Sequence, residues 1–330
     1  MFDLSYPELA FALHAVRRAS LLVRQVQREL VSPALTKGDR SPVTVADFAS
    51  QALVSFLLAQ SFPGDTLVAE EDAAVLRDPA SAATLAQVVH FVSQLVPGAD
   101  AEAICTWIDR GRGKPGARFW TLDPIDGTKG FLRGDQYAIA LALVVGGQVE
   151  IGVLGCPNLV DARQPDLSGV GSLVAAARGQ GTWTASLTHE GVWLELHVSD
   201  QSEPAQARLL RSFESGHTNV DQIGAFARAL GVQAAPLLMD SQAKYALLAS
   251  GSGELLLRML SAEKPNYREK IWDQAAGSLV LEEAGGRITD LYGKPLDFTT
   301  GRSLSNNRGI LASNSVLHAA ALLALDMIRV

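Results

Sequence analysis

The stretch that most constrains this chain is Phe119 to Asp135, FWTLDPIDGTKGFLRGD. The apolar run Phe119 to Leu122 predicts a short strand that ends at Asp123. Pro124 cannot donate to an inner ladder, and Gly127 permits a tight reversal. Asp123 and Asp126 are thereby held at the carboxyl end of a strand, with the Thr128 hydroxyl just behind. Two carboxylates this close repel and raise one another's pKa unless a cation lies between them. A hard divalent ion such as Mg²⁺ suits such oxygen ligands. DPxD alone fits equally an Asp-Pro turn whose acids face water.

The 330 residues allow one large domain or two lobes, and 48% hydrophobic content supports a substantial core. A net charge of -7 argues against binding a nucleic-acid polymer, so a phosphate ligand has to be met by local cations or metal. Cys105 and Cys156 are far apart and form no CxxC pair, which predicts buried thiols in a reducing compartment. No apolar run approaches the ~18 residues of a membrane span. Asp3 and Glu8 near the start, with no basic segment, speak against a secretory signal. The expected location is the cytoplasm, or an organelle lumen if a transit peptide has been removed. A monomer is the expected state.

Along the chain, Ser5, Pro7 and Glu8 have the form of a capping box opening a long amphipathic helix. Leu9, Leu13, Val16, Ala19, Val23, Val26 and Leu30 face the core, and Arg17, Arg18, Arg24 and Arg28 face water. Ser41-Pro42 breaks the chain before a second amphipathic helix through Ala52, Leu53, Phe56 and Leu57. Asp47, taken alone, is placed as an N-cap. Thr66 to Ala69 predicts a strand running into Glu70, Glu71 and Asp72, so two sets of acids follow two strands. Helices are expected over Ser81 to Val96 and Ala101 to Arg110, with GRGKPGAR (Gly111 to Arg118) as a flexible connector. Tyr137 to Val145 and Gln148 to Leu154 flank Gly146-Gly147, a hairpin signal. The polar stretch Asp161 to Gly171 is the expected seam between lobes. Later strands are expected at Leu173 to Ala177, Val192 to Val198 and Leu209 to Ser212. Asp273 stands where a helix N-cap would be, before Gln274 to Ala284, with Gly285 as a left-handed terminator.

D-P-x-D-G-T-x-x-F at Asp123 to Phe131 and W-D-x-A-A-G-x-x-x-x-x-E-A-G-G at Trp272 to Gly286 resemble the two motifs of the inositol monophosphatase-like superfamily, in order. Phe213 to His217, Asp240 to Tyr245 and Leu257-Arg258 are similar to the nucleotide-holding segments of its 3′(2′),5′-bisphosphate nucleotidase branch. The resemblance covers Ser41 to Asn314 and is weakest over residues 73 to 118 and 160 to 208. It implies an α/β fold: a layered α/β/α/β/α sandwich with an α+β lobe over residues 1–160, which carries most metal ligands, and an α/β lobe over 161–330.

The resemblance also implies a site. Glu70, Asp123, Asp126, Asp273 and the Ile125 carbonyl would hold two or three Mg²⁺ ions, with Glu71 one layer behind. Thr128 would position the attacking water and Asp47 would take its proton. Thr128, His217, Ser241, Lys244, Arg258 and Asp273 would contact the substrate. Read singly, His217 is a loop residue, Lys244 lies on a solvated helix face and Arg258 forms an ion pair. The implied function is a lithium-sensitive phosphatase of sulfur assimilation that converts adenosine 3′,5′-bisphosphate to AMP and phosphate, with its 5′-phosphosulfate analogue as a further candidate substrate. The rivals are an inositol polyphosphate 1-phosphatase and a non-catalytic sensor of the bisphosphate. Retention of Asp47, Thr128 and every acid argues against the sensor.

Overall fold

A computed structural model describes residues 3–30, 41–189, 191–213, 220–260 and 266–328. In chain order the first half runs α1 (Pro7–Leu30), α2 (Ser41–Ser61), β1 (Thr66–Ala69), α3 (Ala82–Ser93), α4 (Ala101–Asp109), β2 (Arg118–Asp126), α5 (Thr128–Arg133), β3 (Ala138–Val145) and β4 (Gln148–Cys156). There follow β5 (Leu159–Val160), β6 (Gln164–Pro165), β7 (Ser172–Ala177), β8 (Thr182–Ser186), β9 (Leu194–Leu196), β10 (Leu209–Arg211), α6 (Val220–Leu230) and β11 (Leu237–Leu238). The chain ends with α7 (Ala243–Ala249), β12 (Leu255–Arg258), α8 (Ala275–Glu283), β13 (Arg287–Thr289), β14 (Ile310–Ser313) and α9 (His318–Met327).

A seven-stranded sheet is ordered β1-β2-β3-β4-β7-β8-β9, and a five-stranded one β11-β10-β12-β14-β13. Both faces of the larger sheet are buried at its centre, so β3 reads AIALALVV, without polar alternation. Its Ile139, Leu141 and Leu143 pack with α1 and α2. The intervening Ala138, Ala140 and Ala142 face a second core shared with α7, α8 and one face of the smaller sheet. The small side chains let α8 come close. A Cβ on Gly152 of β4 would lie 2.6 Å from the Ala276 carbonyl oxygen. The far face of the smaller sheet packs on α6 and α9. The layers therefore run α/β/α/β/α, as the resemblance implied.

Several local expectations change. The Ser5 hydroxyl donates to Asp3 at 2.6 Å and Glu8 pairs with Arg118 at 3.2 Å, so no capping box forms. Arg24 does not face water: it is buried and donates to the Gly169 carbonyl at 2.5 Å. The second helix starts at Ser41, with Pro42 in its first turn, where a missing N–H costs nothing. It is buried on nearly every side, since α1, α3, α4 and β2 surround it, and so is not amphipathic. The central strand does not end at Leu122; it runs to Asp126, with a register shift between Asp123 and Asp126 that accommodates Pro124. The connector is partly anchored, because Gly113 N–H donates to the Leu67 carbonyl at 3.1 Å. The seam expected at Asp161 to Gly171 lies between strands of one sheet, since β4 pairs with β7. The change of sheet falls between Leu196 and Leu209. The hairpin forms as expected, with φ of 58° at Gly146 and 83° at Gly147. Cys105 and Cys156 are buried, unpaired thiols.

Candidate active site

The end of β1, the bulged end of β2, the start of α5, α7, β12 and the turn before α8 open onto one cavity of about 710 Å³. Gly127, with φ of 93°, turns the chain between β2 and α5. A Cβ there would also stand 2.8 Å from that of Ser241. The turn delivers Asp123, the Ile125 peptide and Asp126 from β2, and Thr128 from the first residue of α5. Glu70 follows β1, Asp273 precedes α8, and Ser241, Lys244 and Arg258 complete the lining. Nine of the residues expected from the sequence thus meet around one cavity. Asp47 and Glu71 stand behind the wall, close enough to Glu70 to raise proton affinities. His217 lies outside the described residues.

Neither acid placed as an N-cap serves as one. Asp47 is in the second turn of α2, and Gln274, not Asp273, occupies the cap position of α8. Asp47 is buried, which a solvated cap would not require, and Asp273 is half-buried at the edge of the cavity. Burial, with Glu71 and Glu70 adding, holds the Asp47 carboxyl well above the usual range. Burial, Glu71 and Asp126 push Glu70 up to about 7, against a hydrogen bond with Asp123. Asp123 is held well above the usual range by burial and by Glu70, Asp126, Asp273 and Asp47. Asp273 is raised chiefly by burial, with Arg258 opposing. Burial also raises Asp126, while Lys244, Arg258 and the Gln242 N–H (2.7 Å from Oδ2) pull it down.

Crowded, desolvated carboxylates of this kind need shared protons or a cation. Asp123 Oδ1 is buried with no hydrogen-bond partner. The donor set is all oxygen, which suits Mg²⁺ rather than a softer metal. The residues present therefore fit a divalent cation. They do not form a closed cage: among the described residues, no three acids, histidines or cysteines are gathered tightly enough to enclose an ion. Mutual repulsion is the force that opposes a closer approach.

The same cavity also carries cations, with Asp240 beside them. Lys244 lies on the buried helix α7, not on a solvated face, and donates to Ser212 Oγ at 3.0 Å. Burial and the neighbouring Arg258 lower its pKa to about 8. Arg258 is half-buried and pairs with Glu269 at 2.9 Å, so the ion pair is real, and Glu269 holds it firmly charged. Sequence reasoning missed the supports. Gln242 donates its side-chain amide to Trp272 O at 3.0 Å and accepts from Gly277 N–H at 3.1 Å, tying Asp126's partner to the Asp273 turn. Glu269 also accepts from Gln274, whose oxygen receives the Tyr245 hydroxyl. Gln242 sits inside a segment already singled out; Glu269 carries no signal in spacing.

The chain matches the profile of the inositol monophosphatase family over residues 6–326. The 3′(2′),5′-bisphosphate nucleotidase of Schizosaccharomyces pombe is 42% identical over 325 residues, spanning 93% of this chain and 91% of that one. The protein of that name in Oryza sativa is 43% identical over 338 residues, spanning 97% and 93%. Among solved structures, the IMPase of Thermotoga maritima superposes with a TM-score of 0.64 at 19% identity over 97% of both chains. SuhB of Mycobacterium tuberculosis gives 0.64 at 21% identity, covering 97% of this chain and 96% of its own. At these identities the two structures speak for the fold. The sequence relatives go further, and this chain belongs to the inositol monophosphatase family.

Proposed function

We propose that this chain is a Mg²⁺-dependent phosphatase that removes the 3′-phosphate of adenosine 3′,5′-bisphosphate, releasing AMP and inorganic phosphate. The observation that carries the reading is one cavity that gathers Glu70, Asp123, Asp126 and Asp273 together with Lys244 and Arg258. A substrate with two phosphates matches both signs at once: one phosphate reacts at the acid wall through metal, and the other is held by side-chain cations. The names of the relatives at 42% and 43% identity support the same substrate class.

Glu70, Asp123, Asp126, Asp273 and the Ile125 carbonyl would hold the ions. Bound Mg²⁺ would supply charge for the phosphate oxygens and acidify a water. Thr128, at the start of α5, orients the attacking water, and Asp47 receives its proton. Asp47 suits that role because a buried carboxyl beside Glu71 and Glu70 binds a proton readily. Lys244 and Arg258 hold the non-reacting phosphate, so that binding energy remote from the reaction aligns the ester. Ser241 sits at φ 69°, a strained conformation for a residue with a side chain, at the edge of the same cavity.

Initial rates on adenosine 3′,5′-bisphosphate, its 5′-phosphosulfate analogue and an inositol bisphosphate test the reading. In Mg²⁺ the nucleotides should exceed the inositol substrate by about tenfold or more in kcat/KM. Millimolar lithium, with potassium as the ionic-strength control, should inhibit. A faster inositol bisphosphate would transfer the assignment to a sugar phosphatase. No phosphate release from any of the three would leave the sensor.

A further inference from the structure

Arg302 sits in a stretch to which no role attaches from sequence, yet it joins both sides of the acid wall. Its guanidinium Nη2 donates to the Ala69 carbonyl and its Nη1 to the Gly111 carbonyl at 3.1 Å. The same group stacks 4.7 Å from the centre of the Trp272 ring. Ala69 immediately precedes Glu70, and Trp272 immediately precedes Asp273. The Ala69 carbonyl belongs to the peptide plane that carries the Glu70 nitrogen, so holding it fixes the direction in which Glu70 leaves the strand. The main chain of the same segment is tied to the other side. Ile271 N–H donates to the Arg302 carbonyl at 3.2 Å, and Leu304 N–H to the Glu269 carbonyl at 2.9 Å.

We infer that Arg302 is a positioning residue that sets the separation of the Glu70 and Asp273 carboxylates, and so the affinity of the acid wall for a divalent cation. The inference rests on the reading that these acids hold metal. Glu70 and Asp273 repel one another, so the segments bearing them need a tie that like charges cannot provide. A guanidinium is suited to it: planar, always charged, forked to reach two carbonyls and flat enough to lie on an indole. A lysine ammonium could reach one carbonyl but not span the fork.

The test compares wild type, Arg302→Lys and Arg302→Ala by Mn²⁺ titration, followed by electron paramagnetic resonance, with thermal melting in chelator as the control. Loss of an outer support of this kind weakens metal binding by about tenfold or more. Both variants should show that loss, the lysine variant less, while kcat at saturating metal changes far less than the metal requirement. If the alanine variant melts early in chelator, the lysine variant, which keeps charge and bulk, is decisive. Unchanged Mn²⁺ affinity in the lysine variant, against a wild type that binds, overturns the inference alone. A wild type that binds no Mn²⁺ overturns it together with the metal reading.

Discussion

The two walls of the cavity are charged by different rules. On the acid wall, Glu70, Asp123, Asp126 and Asp273 crowd together, with Asp123 fully buried, and loss of hydration raises the proton affinity of each. On the basic wall, Arg258 already has its counter-ion in Glu269, and Lys244 meets the neutral hydroxyl of Ser212. One wall stores repulsion that an incoming cation relieves. The other holds one cation in an ion pair and a second, Lys244, against a hydroxyl with Asp126 and Asp240 nearby. On the proposed reading metal and phosphate would complete the cavity together, which would couple the binding of the two.

The largest break in that contrast should come from Asp123→Asn. Removing one ligand charge withdraws several kcal/mol of transition-state stabilisation, so turnover should fall by roughly a hundred- to a thousandfold. The melting temperature in chelator should stay level or rise, because a buried like charge has gone. Near wild-type turnover would undo the metal assignment. A sharp drop in melting temperature would show the acid to be structurally paired instead.

Next in size is Lys244→Ala. Loss of a charge-assisted hydrogen bond, worth about 1.5–3 kcal/mol, should lower kcat/KM for the bisphosphate ten- to a hundredfold. Adenosine 3′-phosphate, which lacks the second phosphate, should be hydrolysed almost as well by mutant as by wild type. Equal losses on both substrates would mean that Lys244 touches the reacting phosphate or supports the fold.

The smallest effect is in pH. Burial lowers Lys244 to about 8, so raising pH from 7 to 9 removes most of its charge in the free protein. The ratio of bisphosphate to monophosphate kcat/KM should fall roughly five- to tenfold over that range, and Lys244→Ala should show no such trend. Stability moves the opposite way. Between about 8 and the usual 10.5 the unfolded chain binds a proton that the folded lysine has lost, so this residue favours folding more as pH rises. A flat ratio would place the lysine outside the phosphate's reach.

What the sequence determined by itself was whatever neighbours in the chain decide. Thr66 to Ala69 is the strand expected, and Gly146-Gly147 makes the hairpin, because strand propensity and left-handed φ are local properties. The acids that line the cavity could be placed for a related reason: each lies at the end of a strand or the start of a helix, beside a turn that the sequence displays, while their role together as ligands came only from the resemblance. Tertiary structure decided the rest. Asp47 looks like a cap until α2 extends one and a half turns before it, and only packing between α1, α3, α4 and β2 explains a helix apolar on nearly every side. The central strand runs through Pro124 because a bulge against β3 absorbs the missing donor. Arg302, Gln242 and Glu269 carry no signal in spacing. Their partners are 233, 116 and 11 residues away, and only the folded chain brings those groups within a hydrogen bond of one another.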